Sequence, residues 1–451
     1  MRIIYATKFE GLNRISRGWE ILRYLRAQRH ELFVIGSGRA FHRVEREFRT
    51  SFAILYPPPN HWGEIDPEEV QQKNRSLEKR IERFQADLMI LDGESFAAQL
   101  FNKLRGPVLS IDHLHYLDKS IMEIPIPPAK RDLLIEVKQA LKDRGYWANK
   151  FLLPLFFNPS PTSDKVEVIP TLIPSEVIDI PVNSEDEAGF LAYYWEGILQ
   201  QTKGFNELEE DILVHVPLQV QKRIQRAEKE QQQSTQEPVK KHVEQEVPKR
   251  KRGTIEHRKG KKKLAKVVRR RRVEPTEPPP EVEVQPQEEF QGRPLSECLP
   301  APEQHVEYIA ASSERWPQDI AHCKAVVLTG DMIPIAEAIH LKKPMLLIPR
   351  EDRIDQWIQA HYIEKMGFGE VHSSISRDIL EGFIERLPQY KEKLQEHTSP
   401  GNKAFFDKLS QEISVFAKGK GKGRGKGPQR QGGPKKKGPK KPKRTVFVNE
   451  N

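Results

Sequence analysis

Cysteine is nearly absent from this sequence. Cys298 and Cys323 are the two that occur in 451 residues, with neither CxxC spacing nor histidines near them in a ligand pattern, so a disulfide framework and a zinc site are both unsupported. A reducing cytoplasm is the expected compartment. Long apolar runs are also lacking. The densest, Phe151 to Phe157, contains Pro154 and falls far short of the ~20 residues that cross a bilayer. No transmembrane segment is expected. The opening Met1-Arg2-Ile3-Ile4-Tyr5-Ala6-Thr7 has no basic start, extended apolar core or small-residue cleavage site, so secretion is not expected either. Hydrophobic residues make up 37% of the chain and charged residues 31%, a polar skew that fits folded domains carrying disordered segments. The length accommodates two or three domains.

The charge present is unevenly placed. Of the formal +10, residues 249–272 contribute +13 and residues 418–444 another +13, which leaves −16 on the remainder. The folded part is therefore expected to be acidic, with the basicity confined to an insertion and a tail. From about 221 to 300 the composition collapses into Gln, Glu, Lys, Arg and Pro, with too few large apolar side chains to offset the entropy of ordering a chain. A Gly/Lys-rich stretch over 418–451 has the same deficit, and both segments are expected to be disordered.

Between these segments lies a repeating rhythm of strand and helix. Ile3–Ala6, Leu32–Gly36, Phe52–Tyr56, Leu88–Leu91 and Val108–Ile111 are short and almost continuously apolar, as strands covered on both faces should be. After the first of them Gly18, Ile21, Leu22 and Leu25 recur with helical spacing, while Arg17, Glu20, Arg23 and Arg26 face away. A parallel α/β domain over 1–175 follows. The proline-rich passage from Pro154 through Pro181 marks the expected boundary. A second domain over 185–417 contains Phe190–Tyr194, His305–Ile309, Lys324–Leu328, a helix from Ile335 to Leu341, and Met345–Ile348, and the insertion interrupts it.

In open parallel sheets ligands bind outside the carboxyl ends of the strands. The loop after the first strand carries Gly11, Asn13, Arg14, Ser16 and Arg17, and it leads into a helix whose first amides suit a phosphate or another oxyanion. Asp92, Glu94, Asp112 and His113, with His115 close by, follow the fourth and fifth strands. A carboxylate beside an imidazole can act as a general base or orient one, so these four are the candidate catalytic residues. In the second half Thr329, Gly330 and Asp331 follow a buried strand, Glu337 lies in the next helix, and Gln356 and Gln359 open another. Such a loop lets backbone amides approach a diphosphate, a helical glutamate can accept ribose hydroxyls, and amide side chains can read a sugar. No metal site and no cofactor are expected.

These residues resemble family 28 glycosyltransferases, in particular the branch related to the peptidoglycan N-acetylglucosaminyltransferase. The resemblance rests on Tyr5–Arg17, Asp92–Ser95 and Ser110–His115 in the first half. In the second it rests on Cys323–Val327, Thr329-Gly330, Glu337-Ala338, Lys343-Pro344, Pro349, Gln356, Gln359-Ala360 and Glu364 through Gly369. It implies a GT-B fold, two Rossmann-like parallel-sheet domains facing a cleft, and a metal-independent hexosyltransferase. The donor implied is a nucleotide sugar, expected to be UDP-linked, and the acceptor is an unspecified hydroxyl on a glycan, lipid-linked or small molecule.

Departures from the family pattern are equally specific. Arg14 stands at the loop histidine, Asn13 at a glycine, Asp331 at a second glycine of the donor loop, and Gln359 at an asparagine. A guanidinium cannot serve as a base near neutral pH. A catalytically silent GT-B scaffold therefore stands as an alternative, with residues 249–272 and 418–444 holding nucleic acid or an anionic membrane, at whose inner face the protein would be peripheral. A nucleotide-sugar epimerase is a further alternative.

Overall fold

In the computed structural model of the protein, the residues described are 1–8, 11–38, 41–56, 67–103, 106–145, 148–181, 189–193, 212–216, 221–222, 225, 306–310 and 315–419. The basic segment 249–272 and the tail beyond Gly419 lie outside them, and so does the expectation of disorder attached to each.

Strands β1 (Arg2–Lys8), β2 (Glu31–Ser37), β3 (Ser51–Ala53), β4 (Leu88–Asp92) and β5 (Val108–Ser110) fall on the five apolar runs of the first half. Then come β6 (Ser120–Ile121), β7 (Lys150–Leu155), β8 (Ser160–Pro161) and β9 (Val166–Pro170). A small antiparallel pair forms between β6 and β8, while the others make one parallel sheet in the order β3-β2-β1-β4-β5-β7-β9. Both faces are covered. Ile3 and Tyr5 of β1 enter one apolar core with Ile21, Leu22 and Leu25 of the helix Gly11–Ala27, and their neighbours Ile4 and Ala6 enter a second core on the opposite face. This alternation is the two-residue period of a strand, and burial on both sides explains why the sequence shows continuous apolar runs.

The first part of the proline-rich passage is still strand: it holds all of β9 and the end of β7, with Pro154 inside β7 paired opposite Ile169. The pairing of β7 with β5 covers Lys150 and Phe151 alone, so one edge of β7 is open at Pro154, where a missing N–H breaks no ladder.

The second sheet comprises β10 (Phe190–Tyr193), β11 (Ile212–Val216), β12 (Val306–Ala310), β13 (Ala325–Leu328), β14 (Met345–Leu347) and β15 (Gly369–Val371). All its pairs are parallel, in the order β12-β11-β10-β13-β14-β15. Since β11 and β12 are direct neighbours, the long polar insertion belongs to the connection between two adjacent parallel strands. In each sheet the strand order reverses at one place, between β1 and β4 in the first and between β10 and β13 in the second. These are the switch points at which a doubly wound sheet leaves a crevice.

The carboxyl ends of the two sheets meet. Tyr116, which follows β5, donates its hydroxyl to the carbonyl of Asp355 at 3.1 Å, near the start of the helix Ile354–Met366 that follows β14. Phe157 stacks on Tyr362 at a centroid distance of 3.9 Å, the amide of Glu123 donates to the Tyr362 hydroxyl at 3.0 Å, and Lys365 pairs with Glu123. Tyr116, Leu117 and Phe157 share one core with Met332, Ile354 and Ile358.

A departure from the sequence reading concerns the end of the folded part. The sequence assigns everything from 185 to 417 to the second domain, yet Phe405, Leu409 and Ile413 of the helix Gly401–Gly419 lie in the core of the first lobe. Tyr24 stacks on Phe406 at 4.2 Å, and the side-chain amide of Asn402 pairs with both backbone groups of Ile173 at 2.8 and 2.6 Å. Each buried apolar side chain of this helix stabilises the docking by about 1.5–3 kcal/mol. The amphipathic pattern predicts a helix there but does not say which lobe it covers.

Candidate active site

At the first switch point the candidate catalytic residues separate into two hydrogen-bonded groups. Asp92, at the end of β4, accepts from the Tyr5 hydroxyl at 2.9 Å and forms an ion pair with Arg17, both side chains being 2% exposed. Burial and the neighbouring Asp92 carboxylate hold the Tyr5 phenol well above its ordinary range. For Arg17 burial works against the charge, but Asp92, Tyr5 and Asp112 together more than offset it and keep the guanidinium above its ordinary value. Arg17 also donates to His113 Nδ1 at 3.2 Å. A guanidinium has no acceptor, so Nδ1 must be the acceptor and the ring's proton sits on Nε2. The lone pair of His113 is thus engaged by Arg17 in this arrangement. Asp112 caps the short turn His113–His115 by accepting from the amide of Leu114 at 3.1 Å, and its Oδ1 is 3.7 Å from His113 Nδ1.

Glu94 belongs to the other group. It is fully buried and accepts from Ser37 at 3.0 Å, from Tyr56 at 2.6 Å and from the amide of Phe96 at 3.2 Å. Burial raises its pKa above the ordinary carboxylate value, although Lys8 and these hydrogen bonds oppose that. Sequence order placed Asp92 and Glu94 together, but β4 ends at Asp92 and Gly93 has φ 85°, so the same-face spacing of a strand does not carry on to Glu94.

Of the expected phosphate loop, Gly11, Asn13, Arg14 and Ser16 occupy the first turns of the helix Gly11–Ala27, and their side chains lie outside the description. Arg17, grouped with them on sequence, is buried and committed to Asp92. Nothing in its position in the sequence distinguishes a ligand-facing arginine from one spent on an internal partner. Tyr5, Ser37 and Tyr56 were not singled out from sequence at all. A strand tyrosine reads as core, and its contact with Asp92, 87 residues away, exists only after β1 and β4 pair.

The second switch point gathers Thr329, Gly330 and Asp331 directly after β13. Gly330 has φ 104°, and a Cβ there would lie 2.7 Å from the carbonyl oxygen of Gln356. Any other residue would therefore be strained and would push the helix Ile354–Met366 away. Asp331 occupies the capping position of the helix Met332–His340, yet its side chain makes no cap bond. Instead it accepts from the Thr329 hydroxyl at 2.8 Å and from Gln356 Nε2 at 3.2 Å, with Arg353 Nη2 at 4.0 Å. Gln356 in turn accepts from the amide of Arg350 at 3.1 Å. Gln359 is 1% exposed, and among the described residues neither amide atom makes a well-formed hydrogen bond, although the side chain lies near enough to Tyr116 to act on its hydroxyl.

Glu337 lies in the helix Met332–His340, 3% exposed, and its Oε2 accepts from Trp316 Nε1 at 2.6 Å. Burial pushes its pKa up to about 8, only partly countered by the bond to Trp316, and nearby Glu176 adds to the rise. It is therefore mostly protonated at neutral pH. Trp316 is the residue that sequence reasoning missed here. Its separation of 21 positions from Glu337 follows no helical or strand period.

Among the described residues no group of three or more His, Cys, Asp or Glu side chains could hold a metal ion, and no helix is long and apolar enough to cross a membrane.

Solved structures of similar fold share little sequence with this chain. Acinetobacter baumannii MurG superposes with a TM-score of 0.50 at 9% identity, over 93% of this chain and 100% of the other. The calicheamicin glycosyltransferase CalG4 gives 0.50 at 12% identity, over 94% and 100%. LpCGTa in complex with UDP gives 0.52 at 13% identity, over 92% and 99%. All three support the GT-B architecture that the resemblance implied. No curated protein matches by sequence. The family model described as glycosyl transferase family 1 matches residues 65–234 and 292–388, more than half of the sequence, with the polar insertion interrupting the match. With two doubly wound parallel sheets meeting at their carboxyl ends and this match across both, the chain belongs to glycosyl transferase family 1.

Proposed function

We propose that this glycosyltransferase moves a hexosyl group, without a metal ion, from a UDP-linked donor held at the second switch point to a hydroxyl acceptor met by the first. The observation that carries the donor side is Gly330. Its positive φ and its close approach to Gln356 bring the loop after β13 tight against the helix Ile354–Met366, beside the start of the helix Met332–His340, whose first amides suit a diphosphate. Glu337 supports the same reading: Oε2 is taken by Trp316, and Oε1 makes no hydrogen bond among the described residues and can serve a ribose hydroxyl. The solved complex of LpCGTa holds UDP, which makes UDP the first ligand to try.

On the acceptor side Asp92 is neutralised by Arg17, and Glu94 is sealed from solvent. Asp112 and His113 keep some exposed side-chain surface, 9% and 12%, and are the pair that an acceptor hydroxyl can meet. Rotation of His113 away from Arg17 would free Nδ1 to take the proton of the acceptor hydroxyl, or the Asp112 carboxylate would take it directly, as the hydroxyl oxygen attacks.

The reading is tested by incubating the full chain with a panel of nucleotide sugars and acceptors, alongside calorimetric titration with UDP. Binding of UDP that weakens in E337A, with transfer lost by roughly 10²–10⁴ in H113A but UDP affinity kept, is expected. Absence of binding at millimolar UDP together with an E337A variant that behaves as wild type would remove the donor assignment. Sugar epimerised without any acceptor would favour an epimerase.

A further inference from the structure

Asp331 follows β13 in the loop that the donor reading assigns to the diphosphate, and its carboxylate engages polar groups that another anion could use. The Thr329 hydroxyl donates to one oxygen at 2.8 Å, Gln356 Nε2 donates to the other at 3.2 Å, and the guanidinium of Arg353 is 4.0 Å away. These are three donors, one of them cationic, arranged around one anion. Arg353 is shared, because it also makes two bonds of 3.0 and 2.7 Å to Asp355. Arg350, the other cation of this edge, is bound twice by Asp352 at 3.0 and 2.8 Å. Across 329–331 and 349–356 the side chains sum to −2, with Asp331, Glu351, Asp352 and Asp355 against Arg350 and Arg353.

An aspartate beginning a helix ordinarily turns its side chain onto the first free amides. Asp331 has the extended backbone of a capping residue, yet it makes no such bond. Its carboxylate is aimed at Thr329, Gln356 and Arg353, which lie outside the helix.

We propose that Asp331 is a specificity-determining residue that acts as a built-in competitor for the donor's phosphate, so that a nucleoside diphosphate is admitted at this loop only by displacing a carboxylate from Thr329, Gln356 and Arg353. The proposal rests on the donor reading above. Asp331 sets how strongly the loop discriminates against charged phosphate, and it leaves recognition of the nucleoside untouched. A dianion brought beside an existing carboxylate is repelled, and a half-exposed charge at this separation changes affinity by about one order of magnitude. The repulsion is screened by salt.

Titrating the full chain and its D331N and D331G variants with UDP, UMP and uridine tests this. Asn keeps an acceptor for Thr329 but loses the charge. UDP affinity is expected to rise about tenfold in D331N, with a smaller gain for UMP and none for uridine. The gain should shrink as sodium chloride is raised from 50 to 500 mM, roughly from a Debye length above 10 Å to one below 5 Å. UDP binding by D331N alone, with none by wild type, would also support the proposal. Equal UDP affinity in wild type and D331N overturns it while leaving the donor site intact, and so does a gain that uridine shows equally. If no variant binds any of the three ligands, the donor reading fails and this proposal falls with it.

Discussion

The two switch points occupy the same place in two copies of one architecture and handle their buried acids in opposite ways. In the first lobe Asp92 forms an ion pair with Arg17 and accepts from Tyr5. In the second, Glu337 is equally buried but among the described residues pairs with no cation, only with the indole of Trp316, and its pKa rises to about 8. A charge neutralised internally is a structural device. A carboxyl kept without a counter-charge retains hydrogen-bonding capacity that a ligand can use, and it makes that site responsive to pH.

The comparison breaks most visibly at Arg17. R17A leaves Asp92 as an unpaired buried charge and is expected to destabilise the protein by about 3–5 kcal/mol, measured by urea unfolding. The double variant R17M/D92N should recover much of that loss, because burying the ion pair was itself costly. If R17A proves nearly neutral, the pair is not the anchor of the first switch point.

Glu337 sharpens the contrast through pH. Its pKa is raised in the folded state, so between the ordinary value near 4.5 and about 8 the folded protein holds a proton that the unfolded chain has released. Stability from this group is complete on the acid side and is lost as pH rises through about 8. E337Q, which still accepts from Trp316, should show a flatter profile from pH 5 to 9 and exceed wild type in thermal stability at the alkaline end. Parallel profiles would show that Glu337 titrates normally.

W316F removes the hydrogen bond without removing the ring and is expected to cost about 1–2 kcal/mol. It should also raise the midpoint of the Glu337 titration, since that bond favours the ionised form. The smallest effect is expected where the lobes touch. Y116F deletes the 3.1 Å bond to the Asp355 carbonyl and should cost about 1 kcal/mol. A much larger loss would mean that contact between the lobes contributes more to stability than either switch point.

Much of this arrangement was readable in advance. Four of the five apolar runs of the first half and the run before Thr329 coincide with strands, because a strand buried on both faces must be apolar throughout, while the run Phe52–Tyr56 is strand only as far as Ala53. The helix after β1 also buries the side predicted from Ile21, Leu22 and Leu25. Where the reading failed, local chemistry had been outvoted by neighbours. Pro154 looked like a breaker and sits in a strand, since the edge it faces there is open. Arg17 read as a ligand residue, but pairing of β1 with β4 delivered it to Asp92.

By itself the amino-acid sequence determined the alternation of strand and helix, the two parallel-sheet halves, and the places along the chain where polar residues follow buried strands. All of these depend on periodicity and composition, which are local, whereas the resemblance to glycosyltransferases rested on particular motif residues. Tertiary structure decided which of those polar residues are spent on each other. It tied Asp92 to Arg17, Glu337 to Trp316 and Asp331 to Gln356, and it returned the final helix to the first lobe. Charge and hydrogen-bonding capacity are consumed by partners 21 to 75 positions away, and no local pattern encodes that distance.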